Sequence, residues 1–114
     1  MAEMNQSNGE RESPRLQANL VVSLENVSAV LETEGNVGLG GFCFAAESAP
    51  EPGTRLDIMV DLPGINRWLI ASGEVLGCYR KEGRLWVRGR FFEIDFDQQR
   101  WLARCIDRQS SVAV

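Results

Sequence analysis

The sequence contains no histidine. That removes the commonest general base and the commonest metal ligand together. Its cysteines, Cys43, Cys78 and Cys105, are odd in number, lack CxxC spacing and stand among apolar residues. Buried free thiols in a reducing cytoplasm are expected, rather than a disulfide framework or a metal site. No stretch approaches the ~18 consecutive apolar residues of a membrane span, and no signal-peptide run follows Met1. Membrane insertion is therefore not expected. Positive charge is also in short supply, since 12 Lys+Arg against 16 Asp+Glu leave a net charge of −4. Coating a nucleic-acid polymer needs a basic face, so that class is disfavoured. A local arginine cluster on an acidic protein can still hold a small anion.

What remains is a chain of 114 residues, 44% hydrophobic and 25% charged, which suits one globular domain with a modest core. Residues 1–14 are polar and aperiodic and read as a flexible arm. Alternation of apolar and polar residues predicts strands over Gln17–Leu24, Ser28–Glu34, Gly41–Ala46, Thr54–Leu62, Trp68–Tyr79 and Arg84–Ile94. The fifth contains Gly73 and Gly77, either of which can mark a bulge. Glu34-Gly35-Asn36 and the glycines after it read as a turn, and Lys81-Glu82-Gly83 as a hairpin turn. From Asp97 the period changes. Asp97 suits an N-cap, and Trp101, Leu102, Cys105 and Ile106 form one helical stripe. Residues 109–114 read as a disordered tail. Six or seven short strands followed by one terminal helix predict an all-β antiparallel barrel closed by a C-terminal helix over 15–108.

Two short motifs stand out. Arg11-Glu12-Ser13-Pro14-Arg15 places two arginines four apart just before the first strand. Asn36-Val37-Gly38-Leu39-Gly40-Gly41 places a polar side chain before a run of glycines. A guanidinium offers planar paired donors that match phosphate oxygens or the O6/N7 edge of guanine. Glycines let a backbone approach a ligand closely.

In these two motifs, in this order, the chain resembles the PilZ domain family of bacterial cyclic di-GMP receptors. The family carries RxxxR before its barrel and [D/N]xSxxG after the second strand. Arg11, Arg15, Asn36 and Gly41 match, whereas Gly38 stands where the family most often has serine. The resemblance covers residues 10–106. It implies a six-stranded β-barrel and cyclic di-GMP as ligand, with Arg11, Arg15, Asn36, Gly38 and Gly41 as the ligand-binding positions. It implies a receptor rather than an enzyme, with no catalytic residues, no metal and no cofactor. With no second domain in the sequence, the signal is expected to leave through a protein partner read on the reordered arm. A barrel serving pilus or motility proteins without useful nucleotide affinity is the alternative.

Other residues carry plainer expectations. Arg88 and Arg90 read as outer strand residues paired with acidic neighbours, although they can extend a basic pocket. Tyr79 can stack on a base or cap the barrel. Glu93 and Asp95 lack a nucleophile or metal partner. Trp68, Trp86 and Trp101 read as core and barrel-end packing.

Overall fold

A computed structural model describes residues 14–25 and 27–113, with side chains as far as Arg108. The strands are β1 (Leu16–Leu24), β2 (Val30–Val37), β3 (Gly41–Ala46), β4 (Arg55–Leu62), β5 (Arg67–Lys81) and β6 (Arg84–Ile94), followed by helix α1 (Phe96–Ala113). They close into a barrel in the order β1-β2-β3-β6-β5-β4, each neighbouring pair antiparallel. This is the barrel with a terminal helix that the sequence predicts, with the six strands that the family resemblance implies. Closure leaves no free sheet edge.

Strict alternation explains which side chains fill the interior. In β4, Leu56, Ile58, Val60 and Leu62 are buried while Arg55, Asp57, Met59 and Asp61 are exposed. Leu16, Leu20 and Val22 of β1, Phe42 and Phe44 of β3 and Leu69 and Val75 of β5 complete the same core. Phe42 is its anchor beneath the loop between β2 and β3. Its ring lies 5.3 Å from that of Phe91 and 6.2 Å from that of Phe44. It also packs against the Cα positions of Gly73 and Gly89, where any Cβ would strike the ring.

Leu102, Cys105 and Ile106 of α1 close one barrel mouth. There Cys105 Sγ donates to Pro63 O at 3.6 Å, and Arg108 Nη1 donates to Gly64 O at 3.5 Å. Burial pushes the Cys105 thiol pKa up. Desolvation does the same at Cys78, and all three thiols are free. Among the described residues no helix is long and apolar enough to cross a membrane.

Several boundaries differ from the sequence reading. β2 continues through Val37, so Gly35 and Asn36 are strand residues rather than turn residues. Gly35 pairs with Phe44, and the carbonyl of Cys43 occupies the place a Cβ would take. This glycine serves a close strand approach, not a reversal. α1 begins at Phe96, so Asp97 lies in the first turn and not at the cap. Asp95 precedes the helix, and its carbonyl accepts the Gln99 N–H at 2.9 Å. Asp97 still complements the positive end of the helix dipole.

The helical backbone continues to Ala113, through most of the segment expected to be a disordered tail. No glycine or proline after Gly89 interrupts it. Trp68 is not in the core. Leu69 and Ala71 point inward, so the period of two sends Trp68 and Ile70 out, where they are 45% and 56% exposed. Trp101 is half-buried with the Arg67 guanidinium 4.6 Å above its ring. The expected bulge is present: β5 shifts register against β6 at Ser72/Gly73 and again at Val75/Gly77. The 81–84 hairpin turns through Glu82 and Gly83, both at positive φ, the pattern of a two-residue loop that matches strand twist.

Candidate functional site

Arg15 stands one residue before β1, directly after Pro14, and starts beside the end of β2 because Leu16 pairs with Val37. Its Nε donates to Asn36 Oδ1 at 2.8 Å. The two motifs, 21 residues apart in sequence, are thus joined by one charge-assisted hydrogen bond. Asn36 faces outward and is half-buried. Its acceptor oxygen is engaged by Arg15, while its amide donors have no partner among the described residues.

The Arg15 side chain continues across Gly38. A Cβ at position 38 would lie 3.2 Å from Pro14 O, 3.3 Å from Arg15 Cδ and 3.4 Å from Arg15 Nη1. Gly38 does not have positive φ, so its role is to leave room for the arginine rather than to supply a special backbone conformation. Gly41 has a different cause. It pairs with Arg90 at the start of β3, and a Cβ there would collide with the Gly89 carbonyl. The Gly38 N–H donates to Gly41 O at 2.8 Å, which closes the Leu39-Gly40 loop between the two strands.

Beside this loop lies a cleft of about 430 Å³. Pro14, Arg15 and the Gly38–Gly41 loop form one side, Leu76, Arg88 and Arg90 the barrel side, and Ala103, Ile106 and Asp107 of α1 the far wall. Of the five positions singled out in the sequence, Arg15, Gly38 and Gly41 line this cleft and Asn36 adjoins it through Arg15. Arg11 lies outside the described residues.

The strand face beneath Arg15 carries Cys43, whose Sγ is 3.4 Å from the Tyr79 hydroxyl. Cys43 points away from the core, yet it is only 5% exposed because neighbouring side chains cover it. Its hydrogen bond is the leading cause that pushes the Tyr79 pKa up to about 12, with desolvation adding to it. The positive charges of Arg88 and Arg15 pull the other way. Desolvation lowers the Arg15 pKa; Cys43 and Tyr79 oppose that shift, and nearby Arg88 adds to it. The Arg15 guanidinium nevertheless keeps its charge.

Two further arginines of β6 are already paired: Arg84 with Glu34 at 2.8 Å and Arg90 with Glu74 at 3.3 Å. The expected pairing therefore holds for Arg90 but not for Arg88, which has no ion pair among the described residues. Sequence reasoning offered Arg88 and Arg90 as residues that can extend a basic pocket but favoured their pairing with acidic neighbours, and it did not bring Leu76 or the α1 residues into the site. The alternating pattern put Arg88 on the outer face, but no sequence signal placed β6 beside β3.

The PilZ domain sequence profile matches residues 9–108 of the chain. No curated protein sequence matches it. Among solved structures, the Bacillus subtilis inhibitor of motility MotI/DgrA superposes with a TM-score of 0.75 at 19% identity, over 89% of this chain and 51% of that protein. The chain thus spans about half the length of the Bacillus protein. The PilZ domain of Escherichia coli YcgR, solved with c-di-GMP, gives a TM-score of 0.66 at 14% identity, over 87% and 92% of the two chains. The PilZ domain of CeSA from a cellulose-synthesising bacterium gives 0.59 at 16% identity, over 86% and 99%. With the profile spanning nearly all of the barrel and its helix, the chain belongs to the PilZ domain family.

Proposed function

We propose that this domain is a non-enzymatic receptor for cyclic di-GMP that signals through a protein partner. The observation that carries this reading is the Arg15–Asn36 bond across Gly38. It holds a guanidinium at the lip of a cleft on a barrel whose relative from Escherichia coli is described with c-di-GMP. The paired donors of Arg15 suit phosphate oxygens or a guanine edge. Arg11, four residues earlier in the chain, adds a second guanidinium. Binding draws the segment 1–14 onto the barrel near Asn36, and the reordered segment becomes the surface that a partner reads. Free thiols suit a reducing compartment, and we place the receptor in the cytoplasm. Regulation of motility is the process that the Bacillus relative's name suggests.

Calorimetric titration of the purified chain tests this directly. Cyclic di-GMP should bind saturably, and linear di-GMP and GTP far more weakly. No heat change up to high-micromolar ligand would overturn the reading in favour of a barrel that contacts proteins without the nucleotide.

A further inference from the structure

Four residues form one row across the outside of the barrel. Asn36 lies opposite Cys43, Cys43 opposite Arg88, and Arg88 opposite Gly77. Neighbouring strands stand ~4.8 Å apart, so the Arg88 backbone is roughly 10 Å from that of Asn36. Arg88 shares the cleft with Arg15, Gly38 and Gly41.

The three outer arginines of β6 are not equivalent. Arg84 is held by Glu34 and Arg90 by Glu74. Arg88 alone of the three has no carboxylate partner among the described residues. Its charge is nevertheless felt at the site, since it acts on both Arg15 and Tyr79. Two guanidinium groups facing one cleft repel each other unless an anion lies between them. Asp107 is the one carboxylate among the residues lining the cleft, and it forms no ion pair with either arginine. Gly38 adds no side-chain donor, and its N–H is taken by Gly41 O.

We infer that Arg88 is a further ligand-binding residue of this cleft, its guanidinium taking a paired-acceptor group of the anionic nucleotide beyond the reach of Arg15 and Asn36. This rests on the nucleotide-receptor reading above. The matching group is either a phosphate or the O6/N7 edge of a guanine.

The test titrates the wild-type chain, Arg88→Ala, Arg88→Lys and Arg80→Ala with cyclic di-GMP, and melts each protein. Arg88→Ala should weaken binding by roughly tenfold to a hundredfold, as expected for a lost charge-assisted bond. Its melting temperature should not move, because Arg88 is exposed. Arg88→Lys should recover only part of the loss, since an ammonium lacks the planar fork. Arg80→Ala removes the same charge from an exposed position beside the 81–84 hairpin and should stay within about twofold of wild type. Competition with cyclic di-AMP separates the two acceptor groups. Lost discrimination in Arg88→Ala assigns the guanine edge, and retained discrimination assigns a phosphate.

Wild-type affinity in Arg88→Ala overturns this inference and leaves the receptor reading standing. Equal weakening in Arg88→Ala and Arg80→Ala also overturns it, because net charge alone would then explain the loss. A wild-type chain that does not bind overturns both.

Discussion

Replacing Gly38 by serine restores the residue the family motif carries, and the structure sets the terms of the outcome. Two accounts compete: a missing hydroxyl, or a turn built around glycine for its backbone. Gly38 is not in the left-handed region, so the backbone account is removed. The remaining cost is steric. The new Cβ would stand 3.2 Å from Pro14 O and 3.3 Å from Arg15 Cδ, so its neighbours must yield by a few tenths of an ångström. Arg15 is a long side chain that can slide, and Pro14 precedes the first strand. The strain should therefore stay below the ~1–3 kcal/mol of overpacking a closed core. Against it stands one neutral hydrogen bond to the ligand, worth about 0.5–1.5 kcal/mol. Gly38→Ser should thus tighten cyclic di-GMP binding by roughly two- to tenfold. The melting temperature should fall by less than about 8 °C, at ~4–8 °C per kcal/mol for a domain of this size. Calorimetry and thermal melting on the same variant decide the matter. Weaker binding with a melting point lowered by more than about 8 °C would refute this reasoning. The space that glycine leaves for Arg15 would then be strictly required, and the hydroxyl would be irrelevant.

Arg15→Ala removes both the guanidinium and its bond to Asn36. Binding should become at least ten- to a hundredfold weaker in titration, with the fold intact by circular dichroism because Arg15 is exposed before β1. Asp107→Asn deletes the one carboxylate lining the cleft and should tighten binding of the anionic ligand by about two- to fivefold at low salt, an effect that added salt should erase. The chain has a single tyrosine, so its ultraviolet titration reports Tyr79 alone. The native phenol should stay protonated to about pH 12, and Cys43→Ala should bring its titration back toward the ordinary value of ~10. A folded pKa above the unfolded one stabilises the neutral form. That contribution is complete below pH ~10 and disappears as pH rises through about 12.

The strands were legible because a barrel wall has one wet face. Alternation along Arg84–Ile94 located β6 to the residue and put Arg88 and Arg90 outside. The boundary at the end of β2 was not legible, because Gly35 and Asn36 have turn chemistry in isolation. Only the pairing of Gly35 with Phe44 shows that this glycine admits a neighbouring backbone. Trp68 misled for a related reason. A large aromatic suggests burial, but its neighbours Leu69 and Ala71 claim the interior by parity. At the site, local sequence named Arg15, Asn36, Gly38 and Gly41. It gave Arg88 only as a residue able to extend a basic pocket and did not name Asp107, because both reach the cleft through closure. The β3–β6 pairing is not sequential, and α1 arrives from the far end of the chain.

The glycines of the second motif divide between two physical tasks. Gly41 is fixed by the barrel: a Cβ there would meet the Gly89 carbonyl across the β3–β6 seam, beside the Phe42 ring that the seam encloses. Gly38 is fixed by the segment entering β1, whose arginine lies over it. The motif therefore marks a joint between barrel and leading segment as much as the set of ligand contacts proposed for it. This bears on how an acidic domain would hold the anion we propose for it. The net charge of −4 is spread over the chain, while Arg15 and Arg88 face one cleft. Desolvation and Arg88 both make the charge on Arg15 harder to keep, and the Asn36 oxygen is a neutral partner that holds the guanidinium in place without cancelling it. An ionised partner would give a stronger tether, but it would also neutralise the field that an incoming phosphate needs. On the receptor reading we propose, Asn36 pre-positions the donor and leaves its charge for the ligand, which would lower the ordering cost of binding.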